Sequence, residues 1–251
     1  MENLSPIMLG FLGSLAAGSL TAVGAIPVLF GRIPSRATRD LSLGFAAGVM
    51  LSASFFSLII PALDAAEPMF ENGAMPAAIV CVSILLGMGA VALMNERLPH
   101  EHFIKGVEGQ ASRTLRRTWL FVFAIALHNL PEGLAIGVAY AGGDALRAGA
   151  LTTGIAIQDV PEGLVVAVAL LAAGYRRTLA VGLGMASGLV EPLGAVLGAV
   201  VISHAASLLP WGLGFAAGAM LFVISHEIIP ETHRSGHQNR ATLGLALFVK
   251  R

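Results

Sequence analysis

The sequence predicts an all-α membrane protein: a polytopic helical bundle with seven clear spans, a short or truncated eighth, and the N-terminus outside. Three observations carry this. Seven apolar runs reach membrane-spanning length, the composition excludes a soluble core, and the basic residues fall on one side of the runs. Of 251 residues, 56% are hydrophobic, 30 are glycine and only 12% are charged, about half the charged share of a soluble domain.

The spans follow in order. A bilayer core about 30 Å thick needs about 20 apolar helical residues, and the runs at 7–30, 41–63, 75–94, 119–141, 146–173, 179–202 and 208–230 meet that length. The first is not a cleaved signal, because Met1-Glu2-Asn3 offers no positive n-region and the run exceeds an h-region. It is expected to remain in the mature protein. The fourth and fifth spans each carry a Pro-Glu-Gly triplet, the sixth Glu191-Pro192, and the seventh His226-Glu227 one turn before Pro230. An eighth apolar stretch, 241–249, stops before Lys250-Arg251 and is too short to span. It reads as a stub, a disordered end or a truncated span. The connection at 95–118 is charged, contains Gly106 and Gly109 and has no apolar period, which suits a mobile cytoplasmic linker. The whole of 1–251 is then one transmembrane domain.

Orientation follows from lysine and arginine. Twelve of them lie in the first, third, fifth and seventh loops, whereas the second, fourth and sixth carry only Arg147. The odd loops are therefore cytoplasmic. The 15 basic and 15 acidic residues cancel, so no basic surface for nucleic acid exists. The single cysteine, Cys81, permits neither an intrachain disulfide nor a thiolate cluster.

The acids are the informative feature. Glu132, Asp159, Glu162, Glu191 and Glu227 lie within predicted spans, and no lysine or arginine lies deep in any span. An ionised group at membrane depth costs at least about 2.5 to 3.5 kcal/mol. These carboxyls must be protonated, wet or neutralised by a bound cation.

Their neighbours favour the cation. The fourth span reads His128-Asn129-Leu130-Pro131-Glu132-Gly133, and the fifth Gln158-Asp159-Val160-Pro161-Glu162-Gly163. Helical geometry puts His128 with Glu132, and Gln158 with Glu162, on one face, while Asn129 and Asp159 share an adjoining strip with the same glutamates. Pro131 and Pro161 withhold a hydrogen bond from the carbonyls of Leu127 and Ile157, predicting kinks and free oxygens. Gly133 and Gly163 permit close helix approach. Imidazole with carboxylate and amide suits Zn²⁺, Fe²⁺, Mn²⁺, Co²⁺ or Cd²⁺ better than Ca²⁺ or Mg²⁺. Two ions bridged by one glutamate are geometrically reasonable.

At these residues the chain resembles the ZIP (Zrt/Irt-like) family of divalent metal transporters, prokaryotic type, over nearly its whole length. The paired HNLPEG and QDVPEG motifs carry the resemblance. It implies a binuclear centre, with His128, Glu132, Gln158 and Glu162 around one ion and Asn129, Asp159, Glu162 and Glu191 around the second, Glu162 bridging. It also implies alternating access, a helix bundle bearing the metal sliding against a scaffold, and a multi-pass protein of the bacterial inner (plasma) membrane. Family members have eight spans with both termini outside. Many have a histidine-rich third loop, which here keeps only His100-Glu101-His102.

The bland alternatives stand beside these readings. Polar glue between membrane helices accounts for isolated polar residues, but not for repeated acids flanked by prolines. Glu191 alone also reads as a protonated structural acid. His226 and Glu227 suit a secondary metal site or a proton-coupled gate. Ser57 and Asp64 share a face of the second span as a metal intake point or a plain helix terminus. His233 and His237 either receive exiting metal or are incidental. The similar segments 44–48 and 214–218, both Gly-Phe-Ala-Ala-Gly, hint at symmetry-related halves, and small-residue faces allow a homodimer.

The expected function is uptake of divalent transition metal, zinc foremost with Cd²⁺ and Fe²⁺ also accommodated, through the binuclear intramembrane site. No organic cofactor and no enzymatic activity are expected. Without a GxxxxGK[ST] motif, ATP cannot drive it directly. A proton-coupled carrier of a small organic solute is the main rival. An intramembrane metalloprotease is disfavoured, because HNLPE lacks the second histidine of HExxH.

Overall fold

A computed structural model describes residues 4–70, 73–97, 100–102, 106–108, 117–172, 174–234 and 236–249, with side chains over 4–70, 73–97, 129–172, 174–233 and 236–247. Its helices are α1 (Pro6–Ala25), α2 (Arg36–Ser52), α3 (Ile60–Ala66), α4 (Ala74–Arg97), α5 (Arg117–Ala141), α6 (Ala145–Ala172), α7 (Arg177–Ser187), α8 (Glu191–His204), α9 (Leu209–Val223), α10 (Ile229–Arg234) and α11 (Gln238–Val249). Six of the predicted spans are continuous stretches long and apolar enough to cross a membrane: Pro6–Val28, Arg36–Met69, Ala74–Arg97, Ala145–Ala172, Arg177–His204 and Ala206–His233. The remaining one, 119–141, falls in the 25-residue α5, about 37 Å long.

The structure adds detail at three places. The sixth span is broken: α7 ends, a 3-10 turn covers Gly188–Val190, and α8 begins at Glu191. Pro192 has no N–H for the Gly188 carbonyl and its ring crowds that oxygen, so a new helix starts there. The stretch 241–249, read as a stub, disordered end or truncated span, is the body of α11, an ordered 12-residue helix lying against α2. Its approach rests on Gly44 and Gly48, where an added Cβ would collide with the carbonyls of Ala241 and Leu245. The 95–118 connection, expected to be a mobile cytoplasmic linker, includes a short antiparallel ladder, β1 (His100–His102) with β2 (Gly106–Glu108), pairing Glu101 with Val107. Residues 95–97 end α4 and 117–118 begin α5, and 98–99, 103–105 and 109–116 lie outside the described residues.

Two wide π-helical turns interrupt the second and seventh spans, at Ala53–Ile59 and Ile224–Ile228. Each precedes a proline, Pro61 or Pro230, that cannot donate to the carbonyl four residues back. Each also follows a Gly-Phe-Ala-Ala-Gly segment, so the two spans share both sequence and irregularity.

Helix pairing extends this likeness to the whole chain. The tightest pairs are α5 with α8, α1 with α6, α2 with α11 and α4 with α9. Exchanging α1, α2 and α4 for the broken α7–α8, α9 and α11, and α5 for α6, maps this set onto itself. The hint of symmetry-related halves is thus supported by packing. The same contacts separate two groups: α1, α5, α6, α7 and α8 pack on one another, and α2, α3, α4, α9, α10 and α11 do likewise. They meet mainly where α2 faces α6 and α5 faces α9. The largest cluster of buried apolar residues spans that boundary, including Met50, Ile136, Leu151, Ile155 and Met220.

Candidate metal centre

The centre is built by the first group. α5 and α6 run through Pro131 and Pro161 as continuous helices, so the carbonyls of Leu127 and Ile157 lose the helical hydrogen bond from the residue four places on. Small residues bring the backbones together. A Cβ on Gly133 would strike the Glu191 carbonyl, and one on Gly163 would strike the Thr21 carbonyl of α1. Gly18 of α1 sits against the Gly188 carbonyl, with its Cβ position 3.0 Å from Glu191 Oε1. The break in the sixth span therefore lies in a slot between α1 and α5, and it puts Glu191 at the first position of α8.

Three carboxyls converge there. Ligand oxygens of Glu132, Asp159 and Glu191 all lie within 4.8 Å of one another, and all three residues are buried. The Gln158 amide nitrogen donates to Glu132 Oε1 at 2.6 Å and to Asp159 Oδ1 at 3.0 Å. Asn129 and Gln158 are each 1% exposed. Both polar atoms of Asn129, Glu132 Oε2, Gln158 Oε1, Asp159 Oδ2 and both oxygens of Glu191 are buried without a hydrogen-bond partner. Buried oxygens left unpaired cost at least about 1 to 3 kcal/mol each, and such a concentration in one place is exceptional. No described lysine or arginine reaches these carboxyls to offset their charge. The donor set, carboxylate and amide oxygen in a dry pocket, fits a divalent cation.

The other predicted residues are placed as follows. Glu162, half-buried one turn beyond Asp159 on α6, lies within electrostatic reach of Glu132, Asp159 and Glu191. The His128 side chain lies outside the described residues. None of the secondary candidates joins the three-carboxyl cluster. His226, in the second π turn, stacks on Phe222 with ring centroids 4.9 Å apart and meets the Asn95 amide nitrogen at 3.3 Å. Glu227 beside it is buried. His237 Nδ1 is 3.0 Å from Asp40 Oδ2, and His233 Nε2 is 3.3 Å from the Thr242 hydroxyl. These two histidines fasten α10 and α11 to each other and to α2.

Ser57 and Asp64 do share a site. They line a cavity of about 250 Å³ with Ala139 of α5, Arg147 of α6 and Leu213 of α9. Asp64 is ion-paired there with Arg147 at 2.8 Å.

Sequence reasoning missed Asn95, Asp40 and the bond made by Arg147. Asn95 and Asp40 each lie one residue beyond a predicted span and are nonetheless 7% and 6% exposed. A polar residue in helical register with a buried face was the available signal. Arg147 was legible only as a loop cation, since its partner is 83 positions away.

The model of the family described as ZIP zinc transporter matches residues 95–249. The chain is 51% identical to the zinc transporter ZIPB of Bordetella bronchiseptica over 97% of its own length and 79% of the relative's. It is 43% identical to the zinc transporter GufA of Myxococcus xanthus, covering 94% of this chain and 93% of that one. With the zinc transporter ZupT of Clostridium perfringens it shares 30% identity over 97% and 93%.

Proposed function

The chain belongs to the ZIP zinc transporter family, and from that premise we propose that it carries zinc, and divalent ions of similar chemistry such as Cd²⁺ and Fe²⁺, into the cytoplasm across a bacterial inner membrane. One observation supports this above the others: three buried carboxyl groups share a space 4.8 Å wide whose unpaired oxygens suit a cation.

In this reading Glu132, Asp159, Glu191, Asn129 and Gln158, with His128 and a bridging Glu162, hold up to two metal ions as substrate. The ligands must be deprotonated to bind, so metal entering the centre releases protons. All of them stand on α5, α6 and α8, within one helix group. A rigid shift of that group against the other would carry the site intact from one side of the membrane to the other. A centre divided between the groups would be torn apart by the same movement. The arginine-rich first, third, fifth and seventh connections put one end of the bundle in the cytoplasm and the cavity at Asp64 on the outside.

Reconstituting the chain into vesicles loaded with a zinc-sensitive dye tests the proposal. Dye response to external Zn²⁺ should exceed that of empty vesicles and be lost in Glu132→Ala. Equal response with and without protein, together with purified protein that retains no divalent metal, would overturn it and favour a proton-coupled carrier of an organic solute.

A further inference from the structure

One ion pair crosses the boundary between the helix groups at the outer mouth. Arg147, near the start of α6, places Nη1 2.8 Å from Asp64 Oδ2 on α3. The same guanidinium places Nε 3.2 Å from Asp144 Oδ2 on its own side, and Asp144 also accepts the Arg147 backbone N–H at 3.0 Å. Asp64, Asp144 and Arg147 are the charged residues lining the 250 Å³ cavity, and its apolar lining includes Pro61 and Ala65 of α3, Ala139 of α5, Ala148 of α6 and Leu213 of α9. Both groups thus contribute to it.

The charge pattern makes this arginine singular. The second, fourth and sixth connections contain no other lysine or arginine, whereas Asp64, Glu67, Glu71 and Asp144 belong to the second and fourth. Along α6, Arg147 stands 12 residues before Asp159, about 18 Å at 1.5 Å per residue, so it is no part of the metal centre. The cavity-lining Ala139 lies two turns past Glu132 on α5.

We propose that the Arg147–Asp64 ion pair is a latch between the two helix groups that holds the outer mouth closed in this arrangement. The fork geometry of arginine lets one guanidinium hold both carboxylates. When the groups part, Arg147 stays anchored to Asp144, the residue preceding its own helix, and Asp64 is released to face the outside. The latch therefore opens without stranding a buried charge, and it uncovers a carboxylate where an incoming cation arrives. A half-exposed pair of this kind is weak enough to break in every cycle.

The inference rests on reading the chain as an alternating-access carrier, but its test requires no metal. Cys81 is the chain's single cysteine, so Cys81→Ser provides a background for Ala135→Cys, a fully buried position one turn below Ala139. Labelling by a membrane-impermeant maleimide added outside, in spheroplasts of an expression host, reports opening of the mouth. Arg147→Gln and Asp64→Asn should each raise the labelling rate about threefold, on the scale of an exposed ion pair, and the double variant no further. Asp144→Asn, whose pair lies within one group, should stay near the parent rate. The latch is overturned if neither single variant changes labelling, if the two add, or if Asp144→Asn matches Asp64→Asn. Labelling that behaves as expected in a protein that moves no zinc would leave the latch standing and overturn the transport proposal alone.

Discussion

The Gln158 amide nitrogen lies 2.6 Å from Glu132 Oε1, across the interface of α5 and α6. The same nitrogen serves Asp159 at 3.0 Å, so one neutral donor stands between two carboxyls while Gln158 Oε1 is buried without a partner. In the proposed function a metal ion would reverse this arrangement, taking the carboxylate oxygens and leaving the amide to present its oxygen.

Removing one of the crowded acids should therefore separate stability from binding. Glu191→Gln reduces the charge that can collect within 4.8 Å, and metal-free protein should melt higher than the parent, as replacement of unfavourable site residues commonly allows. The parent should gain about 2.7 kcal/mol with zinc at 100 times its Kd, and Glu191→Gln should lose most of that gain. Thermal melts with and without Zn²⁺ read both effects; a lower metal-free melting temperature contradicts the crowding argument.

Gly133 should tolerate no side chain. An added Cβ there would collide with the Glu191 carbonyl, so Gly133→Ala must push α8 away and should cost about 1 to 3 kcal/mol or more, with zinc binding weakened because Glu191 moves. Gly149 on α6 has no atom within 4 Å of its Cβ position. Gly149→Ala should be neutral or stabilise by up to about 1 kcal/mol. Melting temperature and zinc titration of the two variants decide it.

Uptake should fall as external pH falls. Carboxylates and imidazole bind metal only after losing a proton, so acid competes with zinc at the centre and neutral conditions favour binding. Initial rates in vesicles, measured between mildly acidic and neutral pH at fixed free Zn²⁺, should rise with pH. A flat profile would remove proton competition from the mechanism.

The pair formed by Asn95 and His226, 3.3 Å apart, lies outside the carboxyl cluster, within the second helix group. Asn95→Ala and His226→Ala should slow transport severalfold while leaving the metal content of purified protein unchanged. Loss of bound metal in either variant would mean that this pair belongs to the main centre.

Much of the site was legible because its signals are local. Spacings of three and four residues in the two Pro-Glu-Gly segments put ligands on common helix faces, and helical geometry cannot place them otherwise. Glu191 was legible as an acid beside a proline at membrane depth. Other features rest on distant partners. Arg147 meets Asp64 across 83 positions, His226 meets Asn95 across 131 and His237 meets Asp40 across 197; no periodicity encodes such bonds. The nine apolar residues at 241–249 are too few to read as a span, but α2 offers them a glycine-lined face and they form the body of α11.

By itself the sequence determined the membrane environment, the long apolar runs and the candidate residues for a divalent ion, because hydropathy, length and helical period act within one segment. Only the tertiary structure decided which acids meet. Glycine contacts between α1, α5, α6 and α8 bring Glu132, Asp159 and Glu191 to within 4.8 Å, whereas Asp64, acidic and suitably spaced, is taken up by Arg147. The reason is physical: ligand chemistry belongs to side chains, but the distance between them belongs to the packing of backbones far apart in the chain.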